Sequence, residues 1–339
     1  MWWSGLVVDR PCDSGGYRAI AVAALGRLAR SIWLRVLVSV ALLGLVATRI
    51  DLGVAADRLS EGSWGYFIAA VIALFTSFVV GALRWHVFLT AADIDAPSLG
   101  VVRAYLIGTF TNNFLPSQIG GDVTRTWVVS RPGTRIRAGT TVVCDRAMAL
   151  ACLIAVAWLA YATNASDTPI ELVVALATCT AAAMVVGAGA ALVFQSERVR
   201  RRMPVRLHRP GREVRAAARA CTSGVVLRRT FLIGLGFQGL VVLSTWLVAL
   251  SFGLSVPFAT LAVCLAPVLI VSVLPISIGG FGVREASYVV LLGYAGVSAT
   301  DAALLSLASA AAFAIASLPG ALALIKRPAV PVSSADAGR

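Results

Sequence analysis

Six apolar runs constrain this chain more than any other feature, because each is long enough to cross a bilayer as a helix of about 20 residues. They lie at about 31–50, 64–83, 140–162, 169–194, 229–253 and 301–325. Only 13% of the 339 residues are charged and the mean hydropathy is +0.87, whereas a soluble domain has about 25% charged residues. The sequence therefore predicts an all-α polytopic membrane protein with about six full transmembrane helices. It excludes a soluble enzyme, a secreted disulfide scaffold and a chain that is disordered as a whole.

Two further apolar stretches, at about 98–116 and 257–296, are interrupted by proline and by paired glycines. Cytoplasmic loops of membrane proteins are rich in arginine, so the charge of each loop predicts the side it faces. The basic segments 84–137 and 196–229 are expected inside, and the acidic segments 51–63 and 163–171 outside. Each interrupted stretch then enters and leaves the membrane on one face. The sequence thus predicts two re-entrant helical pairs, whose broken backbone is tolerated where it is buried or lines a wet cavity.

The predicted transmembrane domain is a single one covering residues 31–327, with two halves at about 31–137 and 138–327. A cytoplasmic, poorly ordered lead-in precedes it at residues 1–30, and a disordered tail follows at 328–339. Four arginines interrupt the lead-in, so it lacks the long apolar region of a signal peptide. The basic lead-in and Lys326-Arg327 near the C-terminus indicate that both termini lie in the cytoplasm.

Basic residues outnumber acidic ones by 29 to 16, which gives a net charge of +13. In a membrane protein such an excess indicates cytoplasmic loops and contact with anionic lipid. The Arg-rich cytoplasmic loop 196–229 lacks interleaved aromatic residues, so no nucleic acid partner is expected; an amphipathic segment lying on anionic lipid is favoured instead. Arginine is used almost throughout in place of lysine, which suggests a GC-rich bacterial coding sequence. We therefore expect a bacterial inner membrane.

A motif in the first interrupted stretch recurs in the second. Residues 115–125 and 274–284 share the pattern L-P-x-x-I-G-G-x-x-x-R, with six identities 159 residues apart. Three predicted spans separate the two copies, and an odd number of crossings inverts the second copy relative to the first. The arrangement is typical of inverted-repeat transporters, whose binding sites form where helices break near the middle of the membrane.

Each element of the motif has a physical role in binding an anion. Proline ends the incoming helix, paired glycines let the backbone approach a ligand, and the following half-helix offers free N–H groups and a positive dipole end. Arginine adds a permanent charge whose forked donors match a phosphate. The residues concerned are Pro116, Gly120, Gly121 and Arg125 in the first copy and Pro275, Gly279, Gly280 and Arg284 in the second. The alternative is that the arginines snorkel to headgroups and the glycines permit tight helix packing.

One acidic residue distinguishes the two copies. Asp122 follows the paired glycines in the first copy, whereas Phe281 takes its place in the second. Two interpretations stay open for Asp122. It forms a structural pair with Arg125 or Arg146, or it accepts an amine of a substrate.

Other polar residues lie in or beside apolar segments, where charges are costly and usually pair or serve a path. Asp145 and Arg146 lie near the start of an apolar run, and Glu285 follows the arginine of the second copy. Asn112 and Asn113 precede the first break. For these asparagines, capping a broken helix is the favoured interpretation, and lining a cavity is the alternative.

No metal, cofactor or catalytic residue is predicted. The six cysteines are scattered, mostly within apolar runs, and are interpreted as small buried hydrophobes. His86 and His208 are far apart in the sequence. An enzyme acting on a lipid-linked substrate would need a positioned base, nucleophile or metal. The sequence shows no convergent cluster beyond Asp122, Asp145 and Glu285, so the chain is not expected to be an enzyme.

The sequence resembles the flippase-like family formed by the transmembrane region of lysylphosphatidylglycerol synthase. In the first half the resemblance is carried by residues 105–113, Leu115-Pro116, Gly121-Asp122, Arg125 and Asp145-Arg146. In the second half it is carried by Pro275, Gly279-Gly280, Gly282, Arg284-Glu285, Gly296-Val297 and Leu318-Pro319-Gly320. It covers roughly residues 30–325, and the paired motifs are fairly specific to the family.

The resemblance implies an integral inner-membrane protein that moves lipids between leaflets. In the two-domain members this region is fused to a cytoplasmic aminoacyl transferase that makes lysylphosphatidylglycerol. The present chain stops at Arg339 without such a domain, so it is expected to synthesise nothing. Other relatives are associated with polyprenyl-phosphate-linked sugars or other anionic lipids, and the fold alone does not fix the substrate.

These features together predict transbilayer translocation of an anionic lipid, such as a phospholipid or a polyprenyl-phosphate-linked lipid. The predicted mechanism exposes a cavity between two inverted halves alternately to each side. Arg125 engages the headgroup phosphate from the cytoplasmic side and Arg284 from the external side. The expected partners are membrane lipids and enzymes of lipid biosynthesis. The alternatives are a non-transporting scaffold or assembly factor for lipid or envelope synthesis and, third, a lipid-modifying enzyme.

Overall fold

The computed structural model describes residues 37–114, 119–131, 133–196, 208–273 and 282–325. Some predicted features lie outside these ranges: the lead-in 1–30, the tail 328–339, and Pro116, Pro275, Gly279 and Gly280 of the repeated motif.

The described residues form twelve α-helices, with no β-strand among them. In chain order the helices are α1 (Leu37–Ala47), α2 (Leu52–Ser60), α3 (Trp64–Ala91), α4 (Ser98–Thr111), α5 (Ile119–Val129), α6 (Arg135–Thr163), α7 (Ile170–Gln195), α8 (His208–Cys221), α9 (Gly224–Ser251), α10 (Phe258–Val273), α11 (Val283–Tyr294) and α12 (Ala299–Ile325).

Five of these helices, α3, α6, α7, α9 and α12, are long and apolar enough to cross a membrane. They have 26 to 29 residues, which is about 40 Å of helix, and the hydrocarbon core is about 30 Å thick. The predicted all-α, polytopic membrane fold is thereby confirmed. The sixth predicted span, 31–50, is represented by the short helix α1, and residues 31–36 lie outside the described part of the chain.

Two of the spans extend beyond the apolar runs that predicted them. Helix α3 continues to Ala91, and α9 begins at Gly224. Arg84, which the sequence placed in a loop, is therefore inside α3 and buried. Arg228 and Arg229 lie near the start of α9 and are exposed, as expected of arginines that reach a polar surface from a helix end. Hydropathy underestimates both helices because it treats every arginine as the end of a span.

Two pairs of short helices lie at the interrupted stretches, and the first pair continues past residue 116 to Val129. Helices α4 and α5 have 14 and 11 residues, and α10 and α11 have 16 and 12. At 1.5 Å per residue each is about 17 to 24 Å long, which is too short to cross the membrane. The helices of each pair pack against each other. We call α4–α5 the first hairpin and α10–α11 the second hairpin, and they correspond to the two predicted re-entrant pairs.

Each half of the chain packs against the other in the same way: the span that follows one hairpin contacts the first helix of the other hairpin. Helix α3 packs most extensively against α9. The span that follows the first hairpin, α6, packs against α10 of the second hairpin, and the span that follows the second hairpin, α12, packs against α4 of the first. An inverted repeat produces such an exchange. The contacts relate α3–α6 to α9–α12, and the predicted boundary between the halves, at residue 137, falls within α6.

The short helix α8 lies in the Arg-rich segment and is amphipathic. Ala217 and Cys221 on one face are buried, and Cys221 Sγ lies 3.8 Å from the carbonyl oxygen of Phe88 in α3. Arg212 and Arg219 are exposed. The apolar face of α8 therefore rests on α6 and α3, and its arginines face away from the protein.

Candidate functional site

A buried ion pair joins two of the membrane-spanning helices. Arg84 Nε in α3 donates to Asp145 Oδ1 in α6 at 2.8 Å, and both side chains are almost fully buried. The end of α3 and the start of α6 meet where Arg137 Nη1 donates to the carbonyl oxygen of Ala92 at 3.3 Å. From those ends the ion pair lies about 10 to 15 Å along the helices. Charges at such places are rare and usually functional or paired.

The arginine of the first hairpin joins this pair. Arg125 Nη1 in α5 donates to Asp145 Oδ2 at 3.2 Å, so each oxygen of Asp145 accepts from a different arginine. The Arg125 guanidinium lies 4.8 Å from the ring centre of Trp85 in α3 and 5.0 Å from that of Tyr105 in α4. At these distances an aromatic face attracts a cation. Four consecutive helices, α3 to α6, therefore position Arg125.

Asp122 and Arg146 extend the pairing outward. Arg125 Nη2 lies 3.0 Å from Asp122 Oδ1. Arg146 Nε donates to Asp122 Oδ2 at 2.9 Å, and Arg146 Nη2 donates to Asp122 Oδ1 at 3.0 Å. The pairing of Asp122 that the sequence suggested is therefore present, and it involves both arginines.

We call Arg84, Asp122, Arg125, Asp145 and Arg146 the charge network. Its exposure increases from the inside outward: 2% of the Asp145 side chain and 4% of the Arg125 side chain are accessible, against 18% for Asp122 and 44% for Arg146. Three arginines face two aspartates, so the network carries one positive charge in excess. Such a cluster is suited to hold one anion at its exposed end.

Two nitrogen atoms of the charge network have spare donor capacity. Arg84 Nη1 and Arg125 Nε are buried and have no hydrogen-bond partner among the described residues. A buried donor without an acceptor costs stability. The network therefore holds more positive hydrogen-bond donors than its own two carboxylates satisfy.

Glycine keeps the helices around the charge network close together. A Cβ atom at Gly121 of α5 would overlap the carbonyl oxygen of Gly108 in α4. A Cβ atom at Gly234 of α9 would overlap Cys152 Sγ and lie 3.4 Å from Arg84 Nη1. For Gly121 the contact is the tight packing that the sequence left open as an alternative to ligand binding. Its neighbour Gly120 is half-buried, and its carbonyl oxygen accepts from Thr124 Oγ1 at 2.9 Å.

Two asparagines fix the tip of the first hairpin. Asn112 Oδ1 accepts a hydrogen bond from the backbone N–H of Gly121 at 3.0 Å, which ties the end of α4 to the first turn of α5. Asn113 Nδ2 donates to Ser317 Oγ in α12 at 2.8 Å. These contacts agree with capping of a broken helix, the interpretation favoured from the sequence.

Helix α12 covers the rest of α4. A Cβ atom at Gly320 would overlap the carbonyl oxygen of Leu106, so this glycine lets the two helices touch. Arg103 donates to the carbonyl oxygen of Ala323 from Nε at 3.0 Å and from Nη2 at 2.6 Å. The first hairpin is thus closed on one side by the last helix described.

The second hairpin holds its motif residues differently. Glu285 Oε2 accepts from the Gly282 N–H at 2.6 Å, and Arg284 Nη2 donates to Glu285 Oε1 at 2.7 Å. Only 1% of the Glu285 side chain is accessible, against 23% for Arg284. Gly282 has φ +84°, which favours glycine. Glu285 therefore caps the start of α11 and neutralises the arginine beside it.

An apolar cleft of about 490 Å³ borders the second hairpin. It lies between α1, α7, α10 and α11, and its walls include Leu42, Ala175, Pro267, Val283 and Val290. The cleft is chemically suited to a hydrocarbon chain rather than to a charged group.

The two motif arginines belong to separate clusters. Helix α5 packs mainly against α4 and α6, whereas α11 packs against α10, α12 and α7. The structure brings Asp122, Asp145 and Arg146 to Arg125, and it brings Glu285 to Arg284.

Sequence reasoning missed Arg84 and Trp85 as residues of the site. The available signal was the apolar sequence that continues beyond Arg84 to residue 89, since a single charge inside an apolar helix usually faces the protein interior. Its partner could not be read from the sequence, because Arg84 and Asp145 are 61 residues apart.

Comparison with known families gives one match. A family model described as the lysylphosphatidylglycerol synthase TM region matches residues 32–320, a range that includes both hairpins and the whole charge network. No curated protein matches the chain. Within the described part of the structure, no group of three or more His, Cys, Asp or Glu side chains is arranged to hold a metal ion.

Proposed function

Because the chain belongs to the family of the lysylphosphatidylglycerol synthase transmembrane region, we propose that it binds an anionic lipid by its headgroup phosphate and translocates the lipid between leaflets. The family links this multi-pass membrane protein to lipid handling. The proposal adds that arginine side chains bind the anionic headgroup. It assigns no step in which a covalent bond forms or breaks.

The charge network is the observation that carries the proposal. Buried charges in a membrane protein are expensive and are typically retained along substrate pathways. Here the excess charge is positive, and guanidinium groups match the two free oxygens of a phosphate. Asp145 holds Arg84 and Arg125 in place from the buried side, so the donors are preorganised before a ligand arrives.

The inverted arrangement of the two hairpins supports alternating access. In this mechanism Arg125 engages the phosphate from the cytoplasmic side and Arg284 from the external side, while the acyl chains stay in the bilayer. The apolar cleft beside α11 provides a surface for one of those chains. Cytoplasmic termini, a bacterial inner membrane and association with lipid-biosynthetic enzymes belong to the same proposal.

The proposal is tested by measuring both lipid binding and translocation. We expect native mass spectrometry of the purified protein to show enrichment of one anionic lipid class. In proteoliposomes, a fluorescent phosphatidylglycerol in the inner leaflet is expected to become accessible to dithionite. Substitution of Arg125→Ala removes the central guanidinium, and we expect lipid binding to fall about 10- to 100-fold, because hydrogen bonds to charged groups contribute about 1.5 to 3 kcal/mol. Translocation is expected to be lost.

Two further variants separate binding from folding. Arg125→Lys keeps the charge but not the forked donors, so it is expected to fold normally and to bind weakly. Arg209→Ala removes an equal charge from a side chain that is 87% exposed, and it is expected to behave as the wild type. An unselective lipid coat that is unchanged by Arg125→Ala would contradict the proposal and favour a scaffold.

A further inference from the structure

The carboxylate of Asp122 occupies the place in the charge network that a phosphate would take. Its Oδ1 lies 3.0 Å from Arg125 Nη2 and accepts from Arg146 Nη2 at 3.0 Å, and its Oδ2 accepts from Arg146 Nε at 2.9 Å. Two oxygens thus face three nitrogens of two arginines. The two unesterified oxygens of a phosphodiester, about as far apart, are bound by arginine in the same forked manner.

The two aspartates of the charge network differ in how readily they are replaced. Asp145 is inaccessible and holds Arg84 and Arg125 from the inside. Asp122 is partly exposed, and its partner Arg146 is the most exposed member. Only the outer carboxylate is therefore reachable by a ligand, and the inner one keeps the arginines in position when the outer one leaves.

The surroundings of Arg125 also hold it independently of Asp122. The guanidinium lies within about 5 Å of the ring centres of Trp85 and Tyr105, in addition to its hydrogen bond to Asp145. Loss of the Asp122 contact leaves these three interactions unchanged. The cation is thus fixed, whereas its outer anion is exchangeable.

We propose that Asp122 is a resident anion that the phosphate of the ligand displaces from Arg125 and Arg146. This inference rests on the proposed function and adds a specificity device to it. The ligand must bring a net negative charge to replace the carboxylate, so a zwitterionic lipid, whose phosphate is balanced by its own cation, binds less tightly. Since Asp122 lies on α5 and Arg146 on α6, displacement also removes one of the two ion pairs that join the hairpin to the following span, and the pair Arg125–Asp145 remains.

The second hairpin has no equivalent device in the sequence. Phe281 stands at the position that corresponds to Asp122, and Arg284 is neutralised by the adjacent, buried Glu285. Glu285 also accepts the N–H of Gly282, so its carboxylate is fixed by the backbone. Displacement is therefore assigned to the first hairpin alone.

The test compares Asp122→Asn with the wild type and with Asp167→Asn. Asp167 is exposed in the loop before α7, so its substitution changes the net charge equally without touching the network. Short-chain phosphatidylglycerol, short-chain phosphatidylcholine and inorganic phosphate are each titrated onto the protein in neutral detergent. Asp122→Asn is expected to bind phosphatidylglycerol about tenfold more tightly than the wild type, because the competing charged contacts contribute at least about 1.4 kcal/mol.

Each outcome decides the inference. Tighter binding of phosphatidylglycerol but not of inorganic phosphate assigns the displacement to a lipid headgroup, and tighter binding of both assigns it to a phosphate anion of either source. Unchanged or weaker binding by Asp122→Asn overturns the inference, because Asp122 is then a structural tie or a contact to the ligand. An equal gain in Asp167→Asn overturns it as well, since the effect is then one of net charge.

A separate result identifies failure of the proposed function. If Arg125→Ala binds phosphatidylglycerol as the wild type does, the lipid site itself is wrong, whatever Asp122→Asn does. If Asp122→Asn does not fold, hydrogen–deuterium exchange of the wild type replaces it. Amides of α5 are then expected to exchange faster in nanodiscs of phosphatidylglycerol than of phosphatidylcholine, and equal or slower exchange overturns the inference.

Discussion

The first and second hairpins begin from the same motif and use its arginine in opposite ways. Arg125 is held by groups from three other helices, and its ionic partners are Asp122 and Asp145. Arg284 is paired with its own neighbour in the sequence, Glu285, which also caps α11. Arg125 of the first hairpin therefore makes ionic contacts between helices, whereas the pair Arg284–Glu285 of the second hairpin lies within one turn of α11.

This difference shows that the surroundings of a motif, and not the motif alone, decide what its arginine can do. The local pair Arg284–Glu285 is neutral and joins two neighbours in the sequence, and Ser306 Oγ of α12 also donates to Glu285 Oε1 at 3.5 Å. A network that spans four helices is sensitive to any movement among them, and it has one charge in excess. The first hairpin is thus suited to sensing a ligand, and the second to holding Arg284 at a fixed place at the start of α11.

The largest expected effect concerns the buried carboxylates that pair with the two motif arginines. Asp145→Asn leaves two buried guanidinium groups without their shared anion, and we expect it to lower the free energy of unfolding by about 3 kcal/mol. Glu285→Gln keeps an oxygen for the Gly282 N–H and leaves a partly exposed arginine, so about 1 kcal/mol is expected. Reversible unfolding in mixed detergent micelles measures both values. Equal losses of unfolding free energy would show that the two carboxylates stabilise the fold equally and would contradict the comparison.

A second comparison concerns one glycine from each hairpin. Gly121→Ala places a Cβ atom on the carbonyl oxygen of Gly108, and such overpacking costs about 1 to 3 kcal/mol. It also moves α5 away from α4, so we expect weaker lipid binding. Gly282→Ala carries the cost of a positive φ, at least about 1 to 2 kcal/mol, and places a Cβ atom 2.9 Å from the carbonyl oxygen of Ser39 in α1; it is expected to leave lipid binding unchanged. The same unfolding assay and lipid titration apply, and loss of binding in Gly282→Ala would contradict the separation of roles.

The smallest effect on stability is expected for Arg284→Ala. Its side chain is partly exposed, and Glu285 keeps its hydrogen bond to the Gly282 N–H, so the free energy of unfolding should change by less than about 1 kcal/mol. Expression and lipid binding at the first hairpin are expected to stay normal, whereas translocation in proteoliposomes is expected to be abolished. Full translocation by this variant would limit the transport path to the first hairpin.

The elements of the fold were predictable from local sequence, but the site was predictable only in part. Proline and paired glycine within apolar stretches indicated both hairpins, because these residues favour helix ends and turns, although Pro267 and Pro319 lie inside α10 and α12. Arg125, Asp122 and Arg146 stood out as charges beside such breaks. Arg84 was placed in a loop, since hydropathy alone cannot distinguish a charge at a helix end from one that has a partner inside the membrane.

The partners themselves depend on helix packing, which is a long-range property. The pair Arg84–Asp145 joins residues 61 positions apart, and Asn113–Ser317 joins residues 204 apart. No local pattern in a single sequence indicates that residues so far apart are in contact. The aromatic contacts of Arg125 likewise require that α3 and α4 already lie beside α5.

The contact between Arg103 and Ala323 has a consequence for synthesis of the protein in the cell. It joins residues 220 positions apart, whereas the members of the charge network are all encoded between residues 84 and 146. At about 5 to 20 residues per second, the ribosome delivers α12 about 10 to 40 s after α4. From the synthesis of Arg146 onward the nascent chain contains the whole charge network, but the face of α4 that later receives α12 has no cover. The newly synthesised protein must therefore bury this face against the insertion machinery or lipid. A chain whose synthesis stalls before α12 would leave the first hairpin uncovered, and cellular quality control would recognise it.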